Sequence, residues 1–320
     1  MAIFLHILGH NILPILILII LGFILSKKFT IDILSLSKLT FYLFSPAFIF
    51  VSLYTTNLNL DMVKVLFCSI LLLITNDIIG RIVARVRNYE VGLKNAFKNS
   101  IMFNNSGNIG VSLIILVFAS PPFVVGGQTP YLNEALAAQI VILAVQNISA
   151  NTLGFYNAGK AQFKSKDSLL KVLSMPNIYA IPAAFILKSI DFDFTTTIIW
   201  PALDYLKNAM VPVVLLTLGV QLTKTKFDFS NTDVHISVFI RLIIGPILAT
   251  LYIFLFGFSG VLAQTIFISY SVPTAVNTAL IAVECNNCQT FAAHSVMVST
   301  ICSTVTLTFA IYLARIIFPL

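Results

Sequence analysis

Charge is what this chain lacks most. Only 10% of its 320 residues are Asp, Glu, Lys or Arg, too few to cover a water-soluble domain of that length. Acids are scarcer than bases, 12 against 19, and two stretches, 99–119 and 260–283, hold none. Carriers that exchange cations directly need carboxylates at mid-membrane, so this gap counts against Na⁺ or H⁺ exchange there. Asn oxygens can still hold Na⁺, which weakens that reading without removing it. Cysteine is sparse too: Cys68, Cys285, Cys288 and Cys302. Cys285 and Cys288 have C-x-x-C spacing, but no second ligand pair completes a zinc site, so no metal is expected. The chain has no H-E-x-x-H, no G-x-S-x-G and no phosphate-binding loop. That excludes the familiar intramembrane hydrolases and ATP-driven pumps, and the chain reads as a non-enzyme without a cofactor.

What fills the chain instead is apolar: 58% of residues are hydrophobic and the mean hydropathy is +0.97. This composition predicts an all-α polytopic membrane protein. Ten hydrophobic spans fall near 3–25, 38–54, 61–84, 95–119, 133–155, 175–190, 198–221, 234–257, 261–284 and 291–317. No basic run precedes the first span, which reads as a retained helix rather than a signal peptide. The net charge of +7 belongs to loops, not to a nucleic-acid surface.

The basic residues are unevenly placed. Odd-numbered loops hold Lys27, Lys28, Lys38, Arg85, Arg87, Lys94, Lys160, Lys164, Lys166, Lys171, Lys224 and Lys226, whereas even-numbered ones hold little beyond Lys64 and Lys188. Positive-inside reasoning puts the odd loops in the cytoplasm and both termini outside, in a multi-pass cell-membrane protein. The hydrophilic stretch 156–174 then divides the chain into two five-helix halves, 1–155 and 175–320. With five helices per half, the second half enters the membrane inverted.

Two spans are interrupted by polar residues. Span four carries Asn104-Asn105-Ser106-Gly107-Asn108-Ile109-Gly110, and span nine carries Ser271-Val272-Pro273-Thr274-Ala275-Val276-Asn277. Unsatisfied amides in hydrocarbon cost several kcal/mol each, so a broken helix survives only where it lines a protein-enclosed cavity. Paired breaks in both halves are the sequence pointer to a carrier's substrate site. A simple polar seam between helices is the plainer reading. The candidate site residues are Asn104, Asn105, Gly107, Asn108 and Gly110 of the first break, with Pro273, Thr274 and Asn277 of the second. Each break leaves helix N-terminal N–H groups facing a cavity, which suits an anion.

These residues resemble a known family. Leu43-Phe44-Ser45-Pro46-Ala47-Phe48-Ile49-Phe50 is similar to a signature of the auxin efflux carriers, and the two breaks are similar to that family's crossover motifs. The short central loop is similar to the compact bacterial type. The resemblance implies ten helices as two inverted repeats, a scaffold part and a transport part, and helices four and nine that cross. It also implies organic-anion substrates, auxin in plants and malate- or malonate-like dicarboxylates in bacteria. Many members have Pro two residues after the second Gly of the first motif, whereas this chain has Ser112.

Outside the breaks, Asp77 and Arg81 lie one turn apart in span three, spaced to pair. They are a candidate proton or accessory site, or else a structural ion pair. Asp204, Lys207 and Arg241 read as surface anchors or local pairs, His294 as a solvated helix-end residue, and Asn11 as near the outer surface. The expected function is a secondary carrier for a small organic anion, working by alternating access at the helix four/helix nine crossing. A Na⁺- or H⁺-coupled carrier on the same scaffold and a non-transporting metabolite sensor are the alternatives. The partners are the anion and the lipid bilayer, and a homodimer is left open.

Overall fold

The computed structural model of the chain describes residues 7–55, 61–159, 176–223 and 230–320. Most of the expected central linker, 160–175, and the loop with Lys224 and Lys226 lie outside the described residues. In chain order the helices are α1 (Leu8–Lys28), α2 (Ser35–Thr55), α3 (Asp61–Val86) and α4 (Val91–Met102). Then come α5 (Ser106–Phe118), α6 (Leu132–Ala158), α7 (Pro176–Lys188) and α8 (Trp200–Leu222). The last four are α9 (Thr232–Phe256), α10 (Gly260–Ser271), α11 (Asn277–Glu284) and α12 (Gln289–Ile317). No strand occurs among the described residues; seven of the helices, α1, α2, α3, α6, α8, α9 and α12, are long and apolar enough to cross a membrane.

Exposed side chains show why. Leu66, Ile70, Ile74, Ile78 and Ile82 recur every fourth residue on α3 and are all exposed. Helical spacing of four aligns them on one face, an apolar stripe suited to acyl chains. Lipid is as apolar as leucine, so burial alone does little to hold such helices together; close backbone approach and buried hydrogen bonds do it instead. The tightest approach is between α1 and α8. An added Cβ at Gly22 would lie 2.0 Å from the Leu216 carbonyl oxygen, and one at Gly219 would lie 1.9 Å from that of Ile19.

The helices pack in two groups. In the first, α1 lies along α8 and α2 packs on both α7 and α8. In the second, α3 packs on α4 and α6, α10 on α6, α9 and α12, and α9 on α3 and α12. The groups meet where α2 and α8 face α5 and α6. Near one end of the second group, the loop after α3 is tied to the start of α9. There the Tyr89 hydroxyl donates to Asp233 Oδ1 at 2.6 Å and Arg87 donates to the same oxygen at 3.0 Å. Burial, reinforced by that carboxylate, pushes the Tyr89 phenol up to about 12.

One expectation, that of a solvated His294, is corrected here. Asn11 is fully buried and donates to the Leu116 carbonyl at 2.8 Å, tying α1 to α5. His294 is also buried, because the first turns of α12 pack inside the second group rather than ending in solvent.

Gly219→Ala should lower stability by about 2–3 kcal/mol, since its methyl would collide with backbone rather than with a movable side chain. Gly9→Ala should be neutral, because nothing lies within 4 Å of its added Cβ. Thermal unfolding of the two purified variants checks the contrast.

Candidate functional site

Both polar breaks are real, and they touch. Helix α4 stops at Met102 and α5 begins at Ser106; α10 stops at Ser271 and α11 begins at Asn277. Between them the chain is extended, with φ −102° and ψ 117° at Phe103 and φ −71° and ψ 156° at Val272. The two extended pieces pair antiparallel. Asn105 N–H donates to the Pro273 carbonyl at 2.8 Å, and Ala275 N–H donates to that of Phe103 at 2.9 Å. Backbone groups that each break would strand in hydrocarbon are therefore satisfied by the other break.

Side chains bond several further groups of the two breaks. Asn104 N–H donates to Gln146 Oε1 at 3.2 Å, and its amide donates to the Ser269 carbonyl at 3.1 Å. Thr274 N–H donates to Ser299 Oγ at 3.2 Å, and the Thr274 hydroxyl donates to the Ser100 carbonyl at 2.9 Å. Gln139 donates to the Ser106 carbonyl at 2.7 Å and accepts from the Ser269 hydroxyl. An added Cβ at Gly110 would lie 2.7 Å from Gln139 Nε2, which is why glycine stands there. Asn105 caps α5, its Oδ1 accepting from Asn108 N–H at 3.3 Å. Ser112, where the resemblance led us to expect Pro, donates to the Asn108 carbonyl at 2.6 Å. The first break is thus held by Asn, Gly and Ser, and needs no Pro.

Sequence reasoning misplaced one residue of first importance. Arg241 is not a surface anchor: it is completely buried in α9. One of its terminal nitrogens donates to the Ile101 carbonyl at 2.9 Å and the other to the Tyr270 carbonyl at 2.6 Å. These carbonyls belong to the last turns of α4 and α10, the first halves of the two broken spans. The planar guanidinium fork therefore joins two helix C-termini, each the negative end of its dipole. Room for it comes from Gly245, whose added Cβ would sit 2.7 Å from one terminal nitrogen. The signal was present in the sequence, a single Arg inside an otherwise apolar span. Asp204 and Lys207, by contrast, form the expected local pair, 3.7 Å apart.

With the C-terminal ends of α4 and α10 taken, the N-terminal ends of α5 and α11 are left facing a cavity of about 780 Å³, counting its open mouth. Asn104, Asn105, Gly107, Asn108 and Asn277 line it on one side; Ser37, Thr40, Met210, Thr217 and Gln221 of α2 and α8 line the other. Of the sequence candidates, Gly110, Pro273 and Thr274 do not line it but shape the breaks behind it. No lining side chain carries a charge. The buried Asn105 Nδ2, Asn104 Oδ1 and Gln221 Oε1 have no partner among the described residues, so the cavity wall holds both unpaired donors and acceptors.

The Asp77–Arg81 pair forms, at 2.6 Å, but outside this cavity. Its other carboxylate oxygen lies 2.6 Å from the buried ammonium of Lys98, a residue the sequence reading passed over. Lys98 also donates to Asn157 Oδ1 at 3.0 Å, and Asn157 donates to Asn99 at 3.0 Å, so the node links α3, α4 and α6.

A model of the membrane transport protein family matches residues 7–311, nearly the whole length. The chain belongs to that family. The auxin efflux carriers are members of it as well, in keeping with the resemblance seen in the crossover motifs. An uncharacterized transporter of Methanothermobacter thermautotrophicus is 23% identical over 304 residues, covering 93% of this chain and 95% of the relative.

Asp77→Asn should destabilise the protein by about 3 kcal/mol, because it removes the anionic partner of a buried Lys. Arg81→Gln should cost under about 1 kcal/mol, since the Arg81 side chain is 63% exposed. Comparing the thermal unfolding of the two variants tests which cation the carboxylate serves.

Proposed function

We propose that this family member is a secondary carrier of a small organic anion, bound at the crossing of its two broken helices and moved by alternating access. The observation that carries this reading is the pair of half-helix N-termini facing one uncharged cavity. The first N–H groups of α5 and α11, on Ser106, Gly107, Val276 and Asn277, have no acceptor among the described residues. Each pole is worth about half a positive charge, so together they balance about one carboxylate. The half-buried side-chain amides of Asn108 and Asn277 have no protein partner either and stand beside those poles. A C3–C4 dicarboxylate of the malonate or malate kind would set its second carboxylate against hydroxyls and amides of α2 and α8.

An inverted repeat of two five-helix halves, 1–155 and 175–320, is consistent with the packing. Counting α4–α5 and α10–α11 as one broken span each gives ten. Span one then packs on seven as six packs on two, and three packs on four as eight packs on nine. In that arrangement α1, α2, α7 and α8 form the scaffold and the other group moves as the transport part. The cavity lies between them, where relative movement would expose it to either side. The excess of basic residues in alternate loops supports an orientation with both termini outside the cell.

Three outcomes are expected. A thermal-shift screen of mono- and dicarboxylates on the purified protein should find a stabilising anion, and vesicles loaded with it should exchange label across the bilayer. Failure to exchange a bound anion would make the protein a sensor. Asn108→Ala and Asn277→Ala should each weaken binding of that anion about ten- to a hundredfold, the loss of one donor to a charged acceptor. Asn208→Ala, whose amide bonds to Asp204 in its own helix, should leave it unchanged. Wild-type affinity in both crossing variants would move the site elsewhere. An impermeant thiol reagent should label single cysteines placed at residues 2 and 320 in intact cells, and labelling of one alone would break the inverted-repeat reading.

A further inference from the structure

Arg241 does more than close the fold around the crossing. It carries a full positive charge, is completely buried, and pairs with no carboxylate among the described residues. A lone charge in such surroundings is very costly unless something of opposite sign faces it. Here the opposite sign is supplied by the C-terminal ends of α4 and α10, about half a negative charge each. The balance closes: one guanidinium against two half-charges. In carriers built from broken helices, such C-terminal ends together with unwound carbonyls are where a coupling Na⁺ or H⁺ is held. In this protein those carbonyls, on Ile101 and Tyr270, are already occupied.

We infer that Arg241 is a built-in counter-cation, filling the negative pole of the crossing that a coupling metal cation would otherwise take, so that the site is complete without Na⁺ or K⁺. Three local features support it besides charge. Gly245 leaves space that any side chain would close, with an added Cβ 2.7 Å from the guanidinium and 3.2 Å from the Tyr270 carbonyl oxygen. The helix widens to a π-turn over Ile240–Ile244, the segment that carries Arg241, and such turns cluster at functional positions. The planar fork also reaches both broken spans at once, so the charge fixes the geometry of the poles it balances. The inference rests on the anion-carrier reading for its meaning, but its test contains no substrate.

The test is the thermal stability of the full chain in detergent, with chloride salts of Na⁺, K⁺ and choline at equal ionic strength. A site that binds a metal cation makes stability depend on that cation. The wild-type melting temperature should therefore be the same in all three; a rise specific to Na⁺ or K⁺ overturns the inference. Arg241→Ala should melt lower and regain at least half of the loss in millimolar methylguanidinium, which can fill the vacated place, but not in choline. Arg241→Lys, which keeps the charge but reaches only one carbonyl at a time, should melt between the two and gain nothing from methylguanidinium. An Arg241→Ala protein as stable as wild type, or one indifferent to methylguanidinium, also overturns it. Should Arg241→Ala not fold, the wild-type arm decides. If no carboxylate shifts the wild-type melting temperature, the anion reading fails while these results stand unaffected.

Discussion

The structure depends on a debt incurred twice and settled once. Breaking a helix in hydrocarbon strands N–H and C=O groups that water cannot reach. A single break would have to borrow partners from side chains. Two breaks at the same depth lend each other backbone, Asn105 to Pro273 and Ala275 to Phe103, and form a minimal antiparallel ladder in an otherwise helical protein. From this pairing the rest follows. It places four helix ends within one small volume, and those ends come in opposite polarity.

Polarity divides the crossing into two sides. The negative ends of α4 and α10 converge on Arg241, and the positive ends of α5 and α11 converge on the cavity. A fixed cation on one side and an open cavity on the other is an electrostatic asymmetry that suits the proposed anion. On the proposed reading it also accounts for the lack of acids at both breaks: a carboxylate near Arg241 would compete with the carbonyls, and one near the cavity would repel an anion.

Much of the fold was legible before any coordinates. Each expected span has a helical counterpart, because a run of apolar residues of bilayer length is a local property of the chain. The two breaks were legible for the same reason, since Asn, Gly and Pro contradict helix and hydrocarbon at once. Arg241 and Lys98 were not. A charged residue in an apolar span looks the same in sequence whether it reaches toward the headgroups or points inward to helix ends. Their partners are remote: Ile101 lies 140 residues from Arg241, and Asn157 lies 59 from Lys98. His294 was misjudged similarly, because nearness to the end of a span says nothing about which neighbour covers it.

Taken alone, the sequence determined that this is a helical membrane protein with two interrupted spans, no acid at either interruption, and most basic residues in alternate loops. These are properties of composition and short-range order, and hydrocarbon imposes them segment by segment. Tertiary structure alone decided that the interruptions meet, that Asn105 caps α5, that one arginine serves two helix ends, and that the Asp77 carboxylate is shared with Lys98. The physical reason is that hydrogen bonds and ion pairs are worth most where they are buried. Which groups are buried together depends on how helices far apart in the chain pack.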